Sequence, residues 1–335
     1  MNAGDDPEKL PKVVVIGGGT GSFNLLRTFK NENWDLTALV NMADNGGSTG
    51  VLRDELGVLP PGDVRQCLVA LSQSPKMRDL FAYRFDAGGL KGHSFGNLFL
   101  STAQKMTDNF SQAVELASAV LAISGQVLPI TTDDVQLAVR LASGQVINGE
   151  SQIAQANFDG ASRQAQFWLE PSAKLSPAAG RAIGEADLIV IAPGNLYASL
   201  APALIVSGVG QALAETAAKI VYVCNLVNKS GQSDGFMVHD YAAEIERFIG
   251  QPVIDYVIYN TETPPPETLQ KYVHEGEFLV GVDETALASA GFQAIGRPLI
   301  AGGAAQHQTQ DALAAQRSLI RHNATALARR INQLL

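Results

Sequence analysis

The chain has 335 residues and a formal net charge of −9, from 33 acidic and 24 basic side chains. That length buries a substantial core and allows either two domains or one large α/β unit. The acidic balance argues against a general nucleic-acid binder, which presents a basic face, and no apolar run reaches the ~18 residues of a membrane span. Cys67 and Cys224 lie in apolar segments without metal-ligand spacing and read as buried free thiols of a reducing cytosol. Residues 1–11 are polar, partly acidic and hold two prolines, so they read as a loose tail, neither signal peptide nor anchor.

Val13-Val14-Val15-Ile16 predicts a buried strand. Gly17-Gly18-Gly19-Thr20-Gly21-Ser22 follows, and its glycines allow a tight turn with backbone close to a ligand. Ser22 is the expected cap of a helix over Phe23 to Lys30, with Leu25, Leu26 and Phe29 on its buried side. Strand, glycine turn and helix N-terminus together form an anion site, because free backbone N–H groups and the helix dipole face outward there. A tight turn without a ligand is the plain alternative. The lysine of a Walker A loop is absent. The dinucleotide fingerprint fits Gly17 and Gly19 but meets Ser22 at its third position, which weakens a nicotinamide reading. The turn points to a phosphate or phosphate ester of unspecified kind.

Asp35 to Val40 reads as a second strand, and the loop after it carries Asp44, Asn45, Gly46, Gly47, Ser48, Thr49 and Gly50. A carboxylate, an amide, two hydroxyls and three glycines at a strand end can ligate a metal, hydrogen-bond a ribose or hold a phosphate. An Asx-rich surface loop is the alternative. Asp63 is the expected cap of a helix through Leu71, which puts Arg65 in the first turn. A cation there opposes the helix dipole and serves an anionic ligand, unless it is simply a surface arginine. In Gly92-His93-Ser94-Phe95-Gly96-Asn97, the residues Gly96 and Asn97 are poor helix formers at the start of an apolar helix, so something besides propensity holds them. His93 is either a site group or a core histidine with a backbone partner.

Asn109 to Ile123 is amphipathic with helical spacing. Residues 127–172 read as an antiparallel excursion of short strands, in which Asp133 and Asp134 are turn residues. The βα rhythm returns with a strand at Asp187 to Ala192, followed by Pro193-Gly194-Asn195 and an apolar helix. Strands at Ile220 to Cys224 and Val253 to Tyr259 end in Asn225 and Asn260, whose amides face a shared crevice or cap their own turns. After Pro264-Pro265-Pro266 come a helix with Tyr272, a strand near Leu279 to Val282, a flexible Gly/Ala/Gln-rich insertion near 301–316, and Ile320-Arg321-His322-Asn323 before the last helix. The loops at 17–22, 44–50 and 194–199 share one polar, glycine-rich character and are expected to meet at the carboxyl edge of a mainly parallel sheet.

The chain resembles the CofD-like family, which includes bacterial gluconeogenesis factors and archaeal 2-phospho-L-lactate transferases. Seven segments carry the resemblance in the family's order: GGGTGS at Gly17–Ser22, DNGGSTG at Asp44–Gly50, PPGDVR at Pro60–Arg65, GHSFGN at Gly92–Asn97, ADLIVIAPGNLYASL at Ala186–Leu200, CN at Cys224–Asn225 and IRHN at Ile320–Asn323. The resemblance implies one Rossmann-like, three-layer α/β/α domain over 12–335 with a mainly parallel sheet and a small antiparallel excursion. It implies a cytoplasmic regulator that binds a UDP-sugar or another nucleotide diphosphate and acts in cell shape and cell-wall metabolism on gluconeogenic carbon. The alternative it carries is a phospholactate-type transferase using a nucleotide-activated donor. By position, Asp44 and Asn45 fall on the metal and substrate loop, with Asp44 the candidate metal ligand and candidate catalytic group. Gly17–Ser22 and Asn195 fall on nucleotide-contact loops, and Tyr272 and Arg321 on positions that hold the UDP-sugar; Gly18 to Ser22 and Gly194 are candidate ligand contacts. Many members have paired aspartates where this chain has Asp44-Asn45. No cofactor is required on this reading; Mg2+ is expected only with a nucleotide ligand, and a homodimer is an open expectation.

Overall fold

Alternation along β1 (Lys12–Gly17) divides the molecule into layers. Val13 and Val15 enter one hydrophobic core, Val14 and Ile16 the other, and all four are buried. A computed structural model describes residues 9–301 and 320–335. Residues 1–8 of the expected tail and the expected insertion beyond residue 301 lie outside the described residues.

The remaining strands are β2 (Asp35–Val40), β3 (Gln126–Pro129), β4 (Gln136–Arg140), β5 (Val146–Asn148), β6 (Gln166–Glu170), β7 (Leu188–Ile191), β8 (Lys219–Val223), β9 (Tyr256–Asn260) and β10 (Gln293–Arg297). Seven form one sheet in the order β10-β9-β8-β7-β1-β2-β3, with every neighbouring pair parallel. Its central strands are Val-, Ile- and Leu-rich because both faces are covered. β5, β4 and β6 make a separate three-stranded antiparallel sheet.

The first half supplies α1 (Gly19–Phe29), α2 (Gly47–Leu56), α3 (Gly62–Leu71), α4 (Pro75–Ala82), α5 (Phe95–Met106), α6 (Phe110–Leu121) and α7 (Glu150–Gln155). The second half supplies α8 (Pro177–Gly184), α9 (Ala201–Leu204), α10 (Val209–Glu215), α11 (Val238–Ile249), α12 (Pro266–His274), α13 (Glu284–Ala288) and α14 (Ala324–Asn332). Buried residues of α1, α3, α5, α6 and α14 cover one face of the large sheet. Those of α8 to α11 and the antiparallel sheet cover the other. In α1, Leu25, Leu26 and Phe29 are fully buried, each worth about 1.5–3 kcal/mol of apolar transfer.

The chain runs outward from β1 through β2 to β3, then returns to the other side of β1 with β7 and runs outward again to β10. The strand order reverses between β1 and β7, and a crevice opens at the carboxyl ends of two such strands. Two expectations change here. β3 belongs to the parallel sheet beside β2 rather than to the antiparallel excursion, because Ala38 pairs with Val127 and Leu39 with Leu128. Residues 279–282 make only isolated bridges, Val227 to Leu279 and Met237 to Gly281, and the edge strand is β10 instead.

Candidate functional site

The two strands at the reversal point bring their loops into contact. Gly21 faces the backbone of the β7 loop so closely that a Cβ there would lie 1.8 Å from the Pro193 carbonyl oxygen. The helix begins earlier than expected: Gly18 caps it and α1 starts at Gly19, so Ser22 sits inside its first turn. Ser22 is therefore not the cap, and its buried hydroxyl has no partner among the described residues. The backbone N–H of Gly19 does not face open solvent either. It donates to Asp63 Oδ1 at 3.0 Å. An internal carboxylate thus occupies part of the position the sequence offers to a phosphate.

Asp63 follows Gly62, the first residue of α3, and Pro61 is the cap, which corrects the expectation that Asp63 caps this helix. Gly62 also makes room for the neighbouring acid: a Cβ there would meet Asp44 Oδ2 and Thr49 Oγ1, each at 2.4 Å. Asp44 Oδ1 accepts from the Gly46 N–H at 2.8 Å. A third acid, Glu150, opens α7 and is hydrogen-bonded to Ser199 of the β7 loop. Asp44 and Glu150 keep some surface exposed while their carboxyl ends are withdrawn from water. Burial and the charge of Asp44 push Asp63 up to about 7, against the pull of the Gly19 N–H and Arg65. Burial raises Asp44, resisted by Gly46, Thr49 and Arg65. Glu150 is held well above the usual carboxylate range by burial first and by the charges of Asp44 and Asp63 next. These three groups share one corner of the crevice.

A polar chain borders that corner. Arg65 Nε donates to Asn97 Oδ1 at 2.8 Å, which turns the Asn97 amide to donate to Ser48 Oγ at 3.1 Å. Ser48 Oγ in turn hydrogen-bonds His93 Nδ1 at 3.0 Å. The poor helix formers are thereby explained. Asn97 links Arg65 to Ser48, its own N–H is capped by Ser94, and Gly96 lets the Arg65 side chain pass.

The family profile described as 2-phospho-L-lactate transferase CofD matches residues 13–300. The chain belongs to the CofD family. The gluconeogenesis factor of Bacillus subtilis is 38% identical over 289 residues, covering 85% of this chain and 90% of that protein. A crystal structure of a UPF0052-family protein from Bacillus halodurans superposes with a TM-score of 0.86 at 35% identity, covering 96% of this chain and 99% of that one. Relatives from Clostridium acetobutylicum (41% identical) and Nostoc sp. (44%) are longer: the chain matches 84% of its own length but only 63% and 62% of theirs.

Several residues expected at ligand contacts make hydrogen bonds within the scaffold. Asn195 accepts from the N–H groups of Tyr197 and Ala198 and so caps a π-helical turn at Leu196–Leu200. Asn225 clamps Gly194, donating to its carbonyl at 2.7 Å and accepting from its N–H at 3.3 Å. Asn260 pairs with Glu262 backbone in its own turn and accepts from the Leu299 N–H. Tyr272 is buried, and its hydroxyl accepts from the Ile320 N–H at 2.9 Å, fixing the segment that carries Arg321. His322 binds the Cys224 carbonyl at 3.0 Å, and burial lowers it to about 4, leaving Arg321 as the cation of that pair.

Asn45 does not face the acids through its amide oxygen. That oxygen accepts from both the N–H of Ser151 (3.0 Å) and its hydroxyl (2.7 Å), latching the loop after β2 to α7. Asn45→Ala should cost about 1–2 kcal/mol in urea unfolding through the orphaned Ser151 groups, and Asn45→Asp, which keeps an acceptor, should cost less. Equal stability of Asn45→Ala and wild type would remove the latch from the account. Among the described residues no group of three or more His, Cys, Asp or Glu side chains is arranged to hold a metal ion. One Asp44 oxygen accepts from the Gly46 N–H and the Asn45 oxygen from the Ser151 N–H. Both cysteines are buried and free, and no helix among the described residues is long and apolar enough to cross a membrane. Grooves of about 300 and 520 Å³ open at the opposite, amino edge, beside Lys12 and Asp35 and beside Lys219 and Asp255. They lie away from the carboxyl edge where doubly wound sheets take ligands.

Proposed function

We propose that this chain is a regulatory ligand-binding protein of the gluconeogenesis-factor type whose crevice takes a UDP-sugar, with its output in cell-wall metabolism and cell shape on gluconeogenic carbon. The observation that carries the reading is the contact of the β1 and β7 loops at the reversal of strand order, with Arg65, Asn97 and His93 on one side. The name of the Bacillus subtilis relative supports the regulatory half of the reading. Arg321 is the group proposed to clamp the diphosphate, since a guanidinium pairs with phosphate oxygens through two parallel bonds. Arg321→Ala should weaken UDP-glucose binding by at least ~1.5 kcal/mol, about tenfold, in a variant that still folds. Calorimetry showing equal affinity for the variant and wild type overturns the assignment.

A second reading, transfer of a phospho-acid unit from a nucleotide-activated donor, is favoured by the transferase description of the family profile. It is also favoured by an aspartate, Asp63, poised to exchange a proton near neutrality. Turnover of a nucleotide-activated donor to free nucleotide, measured with the purified chain, decides between the two.

A further inference from the structure

We propose that Glu150 is a ligand-contacting, specificity-determining residue of the crevice, pairing with a hydroxyl of the sugar part of a nucleotide-sugar. The inference rests on the nucleotide-sugar reading above and names the group that separates the sugar from the nucleotide.

Glu150 comes from outside the βα loops. It follows Gly149, which leaves β5 at φ +93, a left-handed conformation suited to glycine. A Cβ on Gly149 would lie 2.3 Å from Asn45 Nδ2, so the α7 N-terminus is pressed against the loop after β2. Asn45 then binds the next residue, Ser151, through both its N–H and its hydroxyl. The backbone that aims Glu150 is therefore fixed on both sides.

Its carboxyl group is only half used. Ser199 supplies one hydrogen bond, while Oε2 is buried with no partner among the described residues. Buried polar atoms are nearly always satisfied, so an orphaned carboxyl oxygen in a crevice marks a position for a ligand atom. The other groups acting on Glu150 are the carboxyls of Asp44 and Asp63. Three carboxyls therefore meet in this corner. A hydroxyl both donates and accepts, so it pairs with a carboxyl whether or not the carboxyl holds its proton, whereas a phosphate is repelled by any of the three that is ionised. No cation cage competes for the position among the described residues. A site built to pair a buried carboxyl with a hydroxyl rejects the analogue that lacks it, because the carboxyl oxygen stays unpaired.

The test titrates UDP-glucose and UDP into the full chain by calorimetry, for wild type, Glu150→Ala and Glu150→Gln, with magnesium and with chelator. Glu150→Ala should lose at least tenfold in affinity for UDP-glucose and less than twofold for UDP, in both buffers. Glu150→Gln, whose amide oxygen still accepts, should fall between wild type and the alanine variant. Unfolding curves of the free proteins check that each variant folds. Equal losses for both ligands, or no loss for either, overturn the proposal, and a loss confined to magnesium buffer replaces it with cation ligation. A wild type that binds neither ligand removes the nucleotide-sugar reading itself, and Glu150 with it. A wild type that binds both beside an unchanged alanine variant removes only Glu150.

Discussion

Gly21→Ala should destabilise the chain by about 2 kcal/mol or more, the reverse of the usual gain from alanine in a helix. Glycine inside a helix costs roughly 0.5–1 kcal/mol relative to alanine, so the substitution taken in isolation is favourable. Gly21 lies within α1, but its missing side chain is where the β7 loop passes. The added Cβ would sit 1.8 Å from the Pro193 oxygen and 2.9 Å from its carbonyl carbon. Both are backbone atoms and cannot rotate aside. The loop is tied down just before this point by the Ala192 N–H bond to the Ile16 carbonyl at 3.0 Å and just after it by the Asn225 clamp on Gly194. Relief requires α1 to move off the sheet, and overpacking of this kind costs about 1–3 kcal/mol before any lost apolar contact of Leu25, Leu26 and Phe29 is added. Gly184→Ala is the control: this glycine ends α8, has nothing within 4 Å of a built Cβ, and should gain up to about 1 kcal/mol. Guanidinium unfolding of the two variants reads the contrast. A Gly21→Ala protein as stable as wild type would mean that the two loops are not in contact.

What was legible in the sequence follows from how local each signal is. Val13 to Ile16 and Leu188 to Ile191 are apolar runs bounded by turn residues, and both are central strands. β10 reads Gln-Ala-Ile-Gly-Arg, with a single fully buried side chain, Ile295, so its apolar content does not mark it as a strand. β3 is apolar enough to be seen, but its partner is chosen by tertiary packing and no local pattern states it. The site divides in the same way. A polar, glycine-rich loop after β2 and polar residues at helix starts pointed to Asp44, Asp63, Arg65, His93 and Asn97, which the structure brings to one corner. Asn195, Asn225 and Asn260 carry a similar signal and form caps and clamps, and an amide that satisfies its own turn looks in sequence like one that awaits a ligand. Glu150 had no signal. It is one glutamate in a turn of the antiparallel sheet, and only the three-dimensional docking of α7 by Asn45 brings it to Asp44 and Asp63.

Stability should fall as pH rises toward and through neutrality, and Asp63→Asn should remove a large part of that fall. In the unfolded chain an aspartate loses its proton near 3.9. In the folded chain Asp63 keeps it to about 7, because ionisation would place a charge in a buried corner beside Asp44. Between those values the folded state binds more protons than the unfolded one. The derivative of stability with pH is then negative, so the loss accrues across the window and levels off above about 7. Asp44 and Glu150, raised for the same reason, add in the same direction. His322 opposes them: lowered to about 4 by burial, it makes the unfolded state the better proton binder up to about 6.5. The two effects overlap below 6.5, so the Asp63 effect is read from the difference between Asp63→Asn and wild type, in which the His322 contribution cancels. Asparagine at 63 keeps an oxygen for the Gly19 N–H, now at 3.0 Å, and cannot ionise. Relative to wild type, Asp63→Asn should therefore be within about 1 kcal/mol at pH 4.5 and more stable by a few kcal/mol at pH 8, measured by urea unfolding across that range. Parallel pH profiles for the two proteins would show that Asp63 ionises without penalty. A gain in stability from removing an acid marks that acid as one the fold tolerates rather than needs, which is the signature of a residue kept for what the crevice binds.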